Sequence, residues 1–302
     1  MRFESASASL PRVTAWAPRE WRKGTMMVVA GVLALGMATA TRAEELTKTY
    51  PVSGRARVHV ETDDGSVRVS TGDIKQVEIR VDYSGYKLDR DLQVNTSQSG
   101  DSVDISVKTH GTIFAWGARH ASLRVEIHMP READLSVRSG DGSIEVDSIN
   151  GNVDLTAGDG HITAQGLRGS SRFHTGDGHI EARGLDGQVD ASSGDGHINL
   201  EGRFDSLKIK TGDGSVTARA GSGSQVSSAW SIYTGDGSVD LEIPGDLRAN
   251  IEASTHDGHI SLGLPITVEG TFSSSRIQGK LNGGGQAVTI RTGDGSIHLN
   301  KS

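Results

Sequence analysis

Apolar residues along most of this chain sit at fixed distances from a repeated Gly-Asp-Gly tripeptide. Counted from the repeat Asp, positions −6, −4, +3 and +5 are mostly apolar. Around Asp159 they are Val153, Leu155, Ile162 and Ala164. Around Asp236 they are Trp230, Ile232, Val239 and Leu241, and around Asp294 they are Val288, Ile290, Ile297 and Leu299. Even Asp64 fits, with Val58, Val60, Val67 and Val69. A spacing of two within each pair is the period of a β-strand that buries alternate side chains. Each unit therefore reads as strand, Gly-Asp-Gly turn, strand and second turn. The second turn often carries its own apolar residue and Gly, as in Leu167 with Gly169 and Leu185 with Gly187.

The tripeptide recurs within a hexapeptide whose Asp residues are 141, 159, 177, 195 and 213, a spacing of 18 four times running. Further copies surround Asp236, Asp257 and Asp294, and a fainter one surrounds Asp64. A fixed short period marks a repeat architecture. Asp-Gly between alternating strands also signals hairpins, so an antiparallel meander competes with a solenoid. Outward residues at the repeat period favour the solenoid. One column reads Asp154, Arg172, Asp190, Lys208, and another reads Gln165, Arg183, Glu201, Arg219. Neighbours about 4.8 Å apart in stacked coils would attract, whereas a meander would hold them two strands apart.

The expected fold is all-β: a β-solenoid (single-chain β-helix) of about 18-residue coils with Gly-Asp-Gly turns. Residues 46–130 read as a less regular β-rich part, either longer early coils or a small sandwich, and 131–300 as the regular repeats. The turn-forming glycines are Gly142, Gly160, Gly178, Gly196, Gly214, Gly237, Gly258 and Gly295. The expectation is that each supplies a positive φ while the Asp side chain bonds the turn's backbone N–H groups.

Composition sharpens this reading. Of 302 residues 40 are Gly, none is Cys and 4% are aromatic. Hydrophobic residues make up 34%, which suits a thin core fed by two apolar side chains per strand. Residues 1–43 differ: Arg19, Arg22 and Lys23 precede an apolar run from Met26 to Met37, then small residues ending at Ala40 and Ala43. That order is a secretory signal. The run falls short of the roughly 20 residues of a membrane helix, so cleavage is expected, with an uncleaved anchor as the alternative and the one route to a membrane. The chain carries −7, and residues 1–43 carry +4, so the remainder carries −11. Nucleic acid is a poor partner for such a surface.

The run from Ile127 to Ile162 has a strand ending Met129-Pro130, then Ala-Asp-Leu-Ser-Val (133–137), then Gly-Asp-Gly turns. It resembles the bacterial β-strand-repeat domains of unknown function called "putative adhesins". The resemblance covers roughly residues 50–300. It implies an exported or envelope-associated β-repeat protein and defines no catalytic residue.

Candidate chemistry adds little. Calcium wants six to eight oxygens, and each turn offers one carboxylate. His161, His179 and His197 share a column that continues as Ser143 and Ser215, so a polar outward position explains them. No cofactor, metal site or catalytic residue is assigned. Phe114 and Trp116 are the candidate ligand surface, with capping of a coil end as the equal alternative. The function expected is a non-enzymatic, exported, adhesin-like protein of the periplasm, cell envelope or exterior, with a glycan or protein partner. The alternative is a carbohydrate-binding or carbohydrate-cleaving β-helix.

Overall fold

Alternation dictates the strands. Asn150–Ala157 buries Val153, Leu155 and Ala157 and turns Asp154 and Thr156 outward. Ile180–Ser193 and Ile198–Lys210 do the same over longer runs. The computed structural model describes residues 44–110, 121–268 and 273–302. Its described elements are all β-strands, and it forms a β-solenoid-like stack. The signal-peptide reading of residues 1–43 lies outside the described residues.

Strands pair in parallel with their counterparts in the next coil, which settles solenoid against meander. Asp154 faces Arg172, and Arg172 faces Asp190. Ile162 faces Ile144 on one side and Ile180 on the other, and Ile180 then faces Ile198. One ladder holds the strands that enter the Gly-Asp-Gly turns, and a second holds those that leave them. Their inward side chains form one continuous hydrophobic cluster. Trp230 and Phe204 are fully buried and meet edge to face, with ring centroids 6.2 Å apart.

Stacking order departs from chain order at both ends. Ala56–Thr62 lies between Ser102–Thr109 and Ala133–Ser139, and Ser66–Gly72 lies between Ser122–Pro130 and Ile144–Asp147. The Asp64 copy of the repeat is therefore inside the stack. At the other end Ala287–Thr292 is inserted between Trp230–Tyr233 and Ala249–Thr255, and Ile297–Lys301 between Val239–Ile243 and Ile260–Gly263. Antiparallel strands cover the ends. Leu92–Ser99 pairs with Ser102–Thr109, Gln76–Ser84 with Ser122–Pro130, and Arg276–Leu281 with Ala249–Thr255. Glu44–Pro51 and Leu92–Ser99, each paired on one side, are edges of the sheet.

Outward columns carry the expected ion pairs in places. Arg172 Nη1 lies 3.3 Å from Asp154 Oδ2, with both side chains largely exposed. A double-mutant cycle with Arg172→Gln and Asp154→Asn should give about 0.2–1 kcal/mol of coupling. The coupling should shrink in 1 M salt, where the Debye length is about 3 Å. Zero coupling at low salt would contradict this pairing.

Candidate functional site

The Gly-Asp-Gly turns form a ridge along one edge of the stack. Its spine is a chain of backbone hydrogen bonds. Gly158 N–H donates to the Gly140 carbonyl at 2.7 Å, Gly176 to Gly158 at 2.6 Å, Gly194 to Gly176 at 2.5 Å and Gly212 to Gly194 at 2.5 Å. The series continues through Gly235 and Gly293 to His256. One turn is thereby seated on the next without a break where stacking and chain order part.

The eight expected turn glycines, Gly142, Gly160, Gly178, Gly196, Gly214, Gly237, Gly258 and Gly295, do not adopt left-handed φ. The expectation of positive φ was wrong for all of them; the reason for glycine is close approach. A Cβ on Gly178 would overlap the carbonyl oxygen of Gly160, and one on Gly196 would overlap that of Gly178. Positive φ occurs instead in the second turn, at Gly169 (φ 118°) and Gly187 (φ 134°), and after Asp64 in the fainter copy, at Gly65 (φ 95°).

The Asp expectation fails as well. Asp141, Asp159, Asp177, Asp195, Asp213, Asp236 and Asp294 point outward and, among the described residues, make no side-chain hydrogen bond. The turn is bonded by the hydroxyl two residues earlier. Buried Thr175 Oγ1 accepts from Gly178 N–H at 3.2 Å and lies 3.0 Å from the Gly160 carbonyl, to which it donates. Ser193, Thr234, Thr255 and Thr292 repeat both bonds, and Thr211 repeats the donation, to the Gly196 carbonyl. The sequence held the signal, since a hydroxyl precedes every repeat Asp by two positions except at Ala157.

Beside the Asp row runs a histidine stack. His161 and His179 rings lie 5.0 Å apart, and His179 and His197 rings 5.1 Å apart. Each Nδ1 accepts a backbone N–H from the next coil: His161 from His179, His179 from His197, and His197 from Ser215, all at 3.1 Å. These bonds require Nδ1 without a proton. Among the described residues no three His, Asp or Glu side chains converge on a point that could hold a metal ion.

The stack also makes stability depend on pH. Burial, then the neighbouring charges of His161 and His197, hold the His179 pKa below the ordinary imidazole value. Its unfolded counterpart takes up a proton as pH falls through about 6.5. The contribution of His179 to stability is thus complete above that pH, declines as pH drops toward the lowered folded pKa and levels off below it. Urea unfolding between pH 8 and pH 5 should show this decline in the native chain. It should be flatter in the triple variant His161→Ser, His179→Ser, His197→Ser, and equal slopes would contradict the assignment.

A shallow groove crosses the outer face of the entering strands, lined by Arg57, His59, Ser136, Asp154 and Arg172 among others. At its edge Arg55 lies 3.2 Å from Asp134. Burial opposes ionisation of Asp134, yet bonds from Asn152 and the charge of Arg55 hold its pKa below the usual carboxylate value. Phe114 and Trp116, the sequence's candidate ligand surface, lie outside the described residues.

Residues 55–300 match the family model described as Toastrack DUF4097. No curated protein matches. Among solved structures, a putative adhesin from Bacteroides fragilis shares 10% identity over 87% of this chain and 99% of its own, with a TM-score of 0.48. A putative lipid binding protein from Parabacteroides distasonis shares 14% over 84% and 96%, with a TM-score of 0.46. A putative cell adhesion protein from Clostridium sporogenes shares 13% over 86% and 100%, with a TM-score of 0.31.

Proposed function

The chain belongs to the Toastrack DUF4097 family, a domain of unknown function, and on that premise we propose that it is a non-enzymatic interaction scaffold of the bacterial cell envelope. In this reading an 18-residue coil with Gly-Asp-Gly turns is the building unit. Export through the N-terminal signal places the protein in the periplasm, envelope or exterior. One observation carries the reading: outward side chains of successive coils line up as polar columns on a frame held by backbone ladders. Such a face offers a linear partner a contact at every coil, and its rigidity lowers the ordering cost of binding. The alternative, a carbohydrate-binding or carbohydrate-cleaving β-helix, shares the face, and its cleaving form differs in chemistry.

Two measurements test the proposal. Expression in a bacterial host should give a mature N-terminus just after Ala40 or Ala43, and full-length protein in the membrane fraction would contradict cleavage. The purified protein should sediment with isolated envelope or cell-wall material without altering it. New reducing ends or unsaturated sugar products would establish the cleaving alternative. Absence of binding to every envelope fraction would overturn the scaffold reading.

A further inference from the structure

We infer that the C-terminal half of the outer sheet face binds an acidic glycan, a polymer of carboxylated or sulfated pyranose rings, with Tyr233 as its stacking platform. This names the partner for the interaction role proposed above and rests on that role. Tyr233 is the exposed large hydrophobic residue of the described chain, at 47%. The register places Lys210 beside it on one strand and Arg291 on the other. The same column continues through Ser254 to Arg276. In the adjacent outward column Lys208 lies between Asp190 and Ser231. Lys208, Lys210, Arg291 and Arg276 are all exposed and, among the described residues, make no ion pair. Glu252 is the carboxylate on these columns at this end, facing Thr289 and Gln278.

The charge distribution is what selects an anion. The chain as a whole is −7, and toward the N-terminal end these columns alternate in sign, with Glu61 beside Arg138 and Arg172 between Asp154 and Asp190. Four cations without ion pairs around one aromatic ring therefore stand out against columns whose charges otherwise alternate and an overall negative chain. A tyrosine ring offers a flat apolar face to the C–H face of a pyranose. The cations of this column, Lys210, Arg291 and Arg276, stand on alternate strands, about 9.6 Å apart at two strand spacings, so charged groups on every second sugar can meet them. A membrane is a poorer fit, because one ring on a flat strand face supplies no apolar wedge to enter the acyl region. Nucleic acid is a poorer fit, because single strands are held by a series of aromatic platforms for successive bases and this face has one ring.

The test uses the purified protein and immobilised polygalacturonate, with neutral galactan, a thymidine oligonucleotide and phosphatidylglycerol vesicles as comparisons. Polygalacturonate should retain the protein, and 1 M salt should release it. Tyr233→Ala should weaken retention at least tenfold, while Tyr233→Phe, which keeps the ring, should retain most of it. Lys210→Gln with Arg291→Gln should weaken binding tenfold or more and flatten its salt dependence. Arg168→Gln with Lys87→Gln, the same charge change elsewhere, should stay within twofold. Binding that none of the Tyr233, Lys210 and Arg291 variants alters would overturn the inference, as would preferential binding to vesicles or oligonucleotide. Loss of retention in Tyr233→Phe equal to that in Tyr233→Ala would remove the ring from the argument. Envelope binding without polygalacturonate binding would sink this inference and leave the scaffold role standing. Failure of both would sink both.

Discussion

Gly178→Ala should cost about 3 kcal/mol or more of folding stability, beyond the common range for overpacking, because the obstacle is backbone. The added Cβ meets the Gly160 carbonyl oxygen, with the Gly160 carbonyl carbon and Thr175 Oγ1 each 2.7 Å away. Relief would require separating two coils, and the hydrogen bond from Gly176 to Gly158, at 2.6 Å, holds them together. Two comparisons isolate the cause. Gly100 has a positive φ of 61° and nothing near its would-be Cβ, so Gly100→Ala should cost only about 1–2 kcal/mol of left-handed strain. Asp177 is exposed, so Asp177→Asn should stay within about 0.5 kcal/mol. Chemical denaturation of the three variants checks the order. If Gly178→Ala costs no more than Gly100→Ala, close approach is not the constraint.

Ile180→Ala should lose about 2–5 kcal/mol, the range for deleting a buried aliphatic side chain that leaves a cavity. Ile180 is 1% exposed and sits between Ile162 and Ile198 in its column. Both neighbours are fixed by their own ladders, so collapse around the missing atoms is limited. The matched change Ile260→Ala, on a half-buried residue of the last leaving strand, should cost less than half as much. Equal losses at both positions would mean that the column is not packed tightly in the middle of the stack.

The sequence made the inward frame legible. Val153, Leu155, Ile162 and Ala164, placed inside by position relative to Asp159, are all buried. The parallel stack followed from sign alternation in columns such as Asp154 and Arg172, which do form an ion pair. The reason for each glycine was not legible, because close approach and positive φ leave the same letter. Gly178 is an example of the first and Gly187 of the second. The capping hydroxyls were visible as a column, but the conspicuous Asp drew the role to itself.

Stacking order was beyond the repeat pattern. A period says which residues are equivalent, not which copy lies next to which. Val58 and Val60 fit the frame as well as Val153 and Leu155 do, and nothing in them reveals that Ala56–Thr62 lies between Ser102–Thr109 and Ala133–Ser139. The basic end of the sheet face escaped for the same reason. Arg291 is far from Tyr233 in the chain and becomes its neighbour only because Ala287–Thr292 inserts before Ala249–Thr255. That insertion also means that the last strands are needed to join the preceding coils, so truncation before Ala287 should separate elements that a simple linear stack would leave intact.

The central claim is a stack of in-register coils in a defined order, and distances along the Asp ridge test it most directly. The chain has no Cys, so pairs of spin labels can be placed by substituting exposed Asp residues with Cys. With one label at Asp141 and the other at Asp213, Asp236, Asp294 or Asp257, the stack places the second label four, five, six and seven coils away. At about 4.8 Å per coil the backbone separations should be roughly 19, 24, 29 and 34 Å. Pulsed electron resonance should show the distances rising in that order, with Asp294 nearer to Asp141 than Asp257 is. Distances that fail to rise with coil number would contradict the stack, and Asp257 nearer than Asp294 would contradict the insertion of the C-terminal coil.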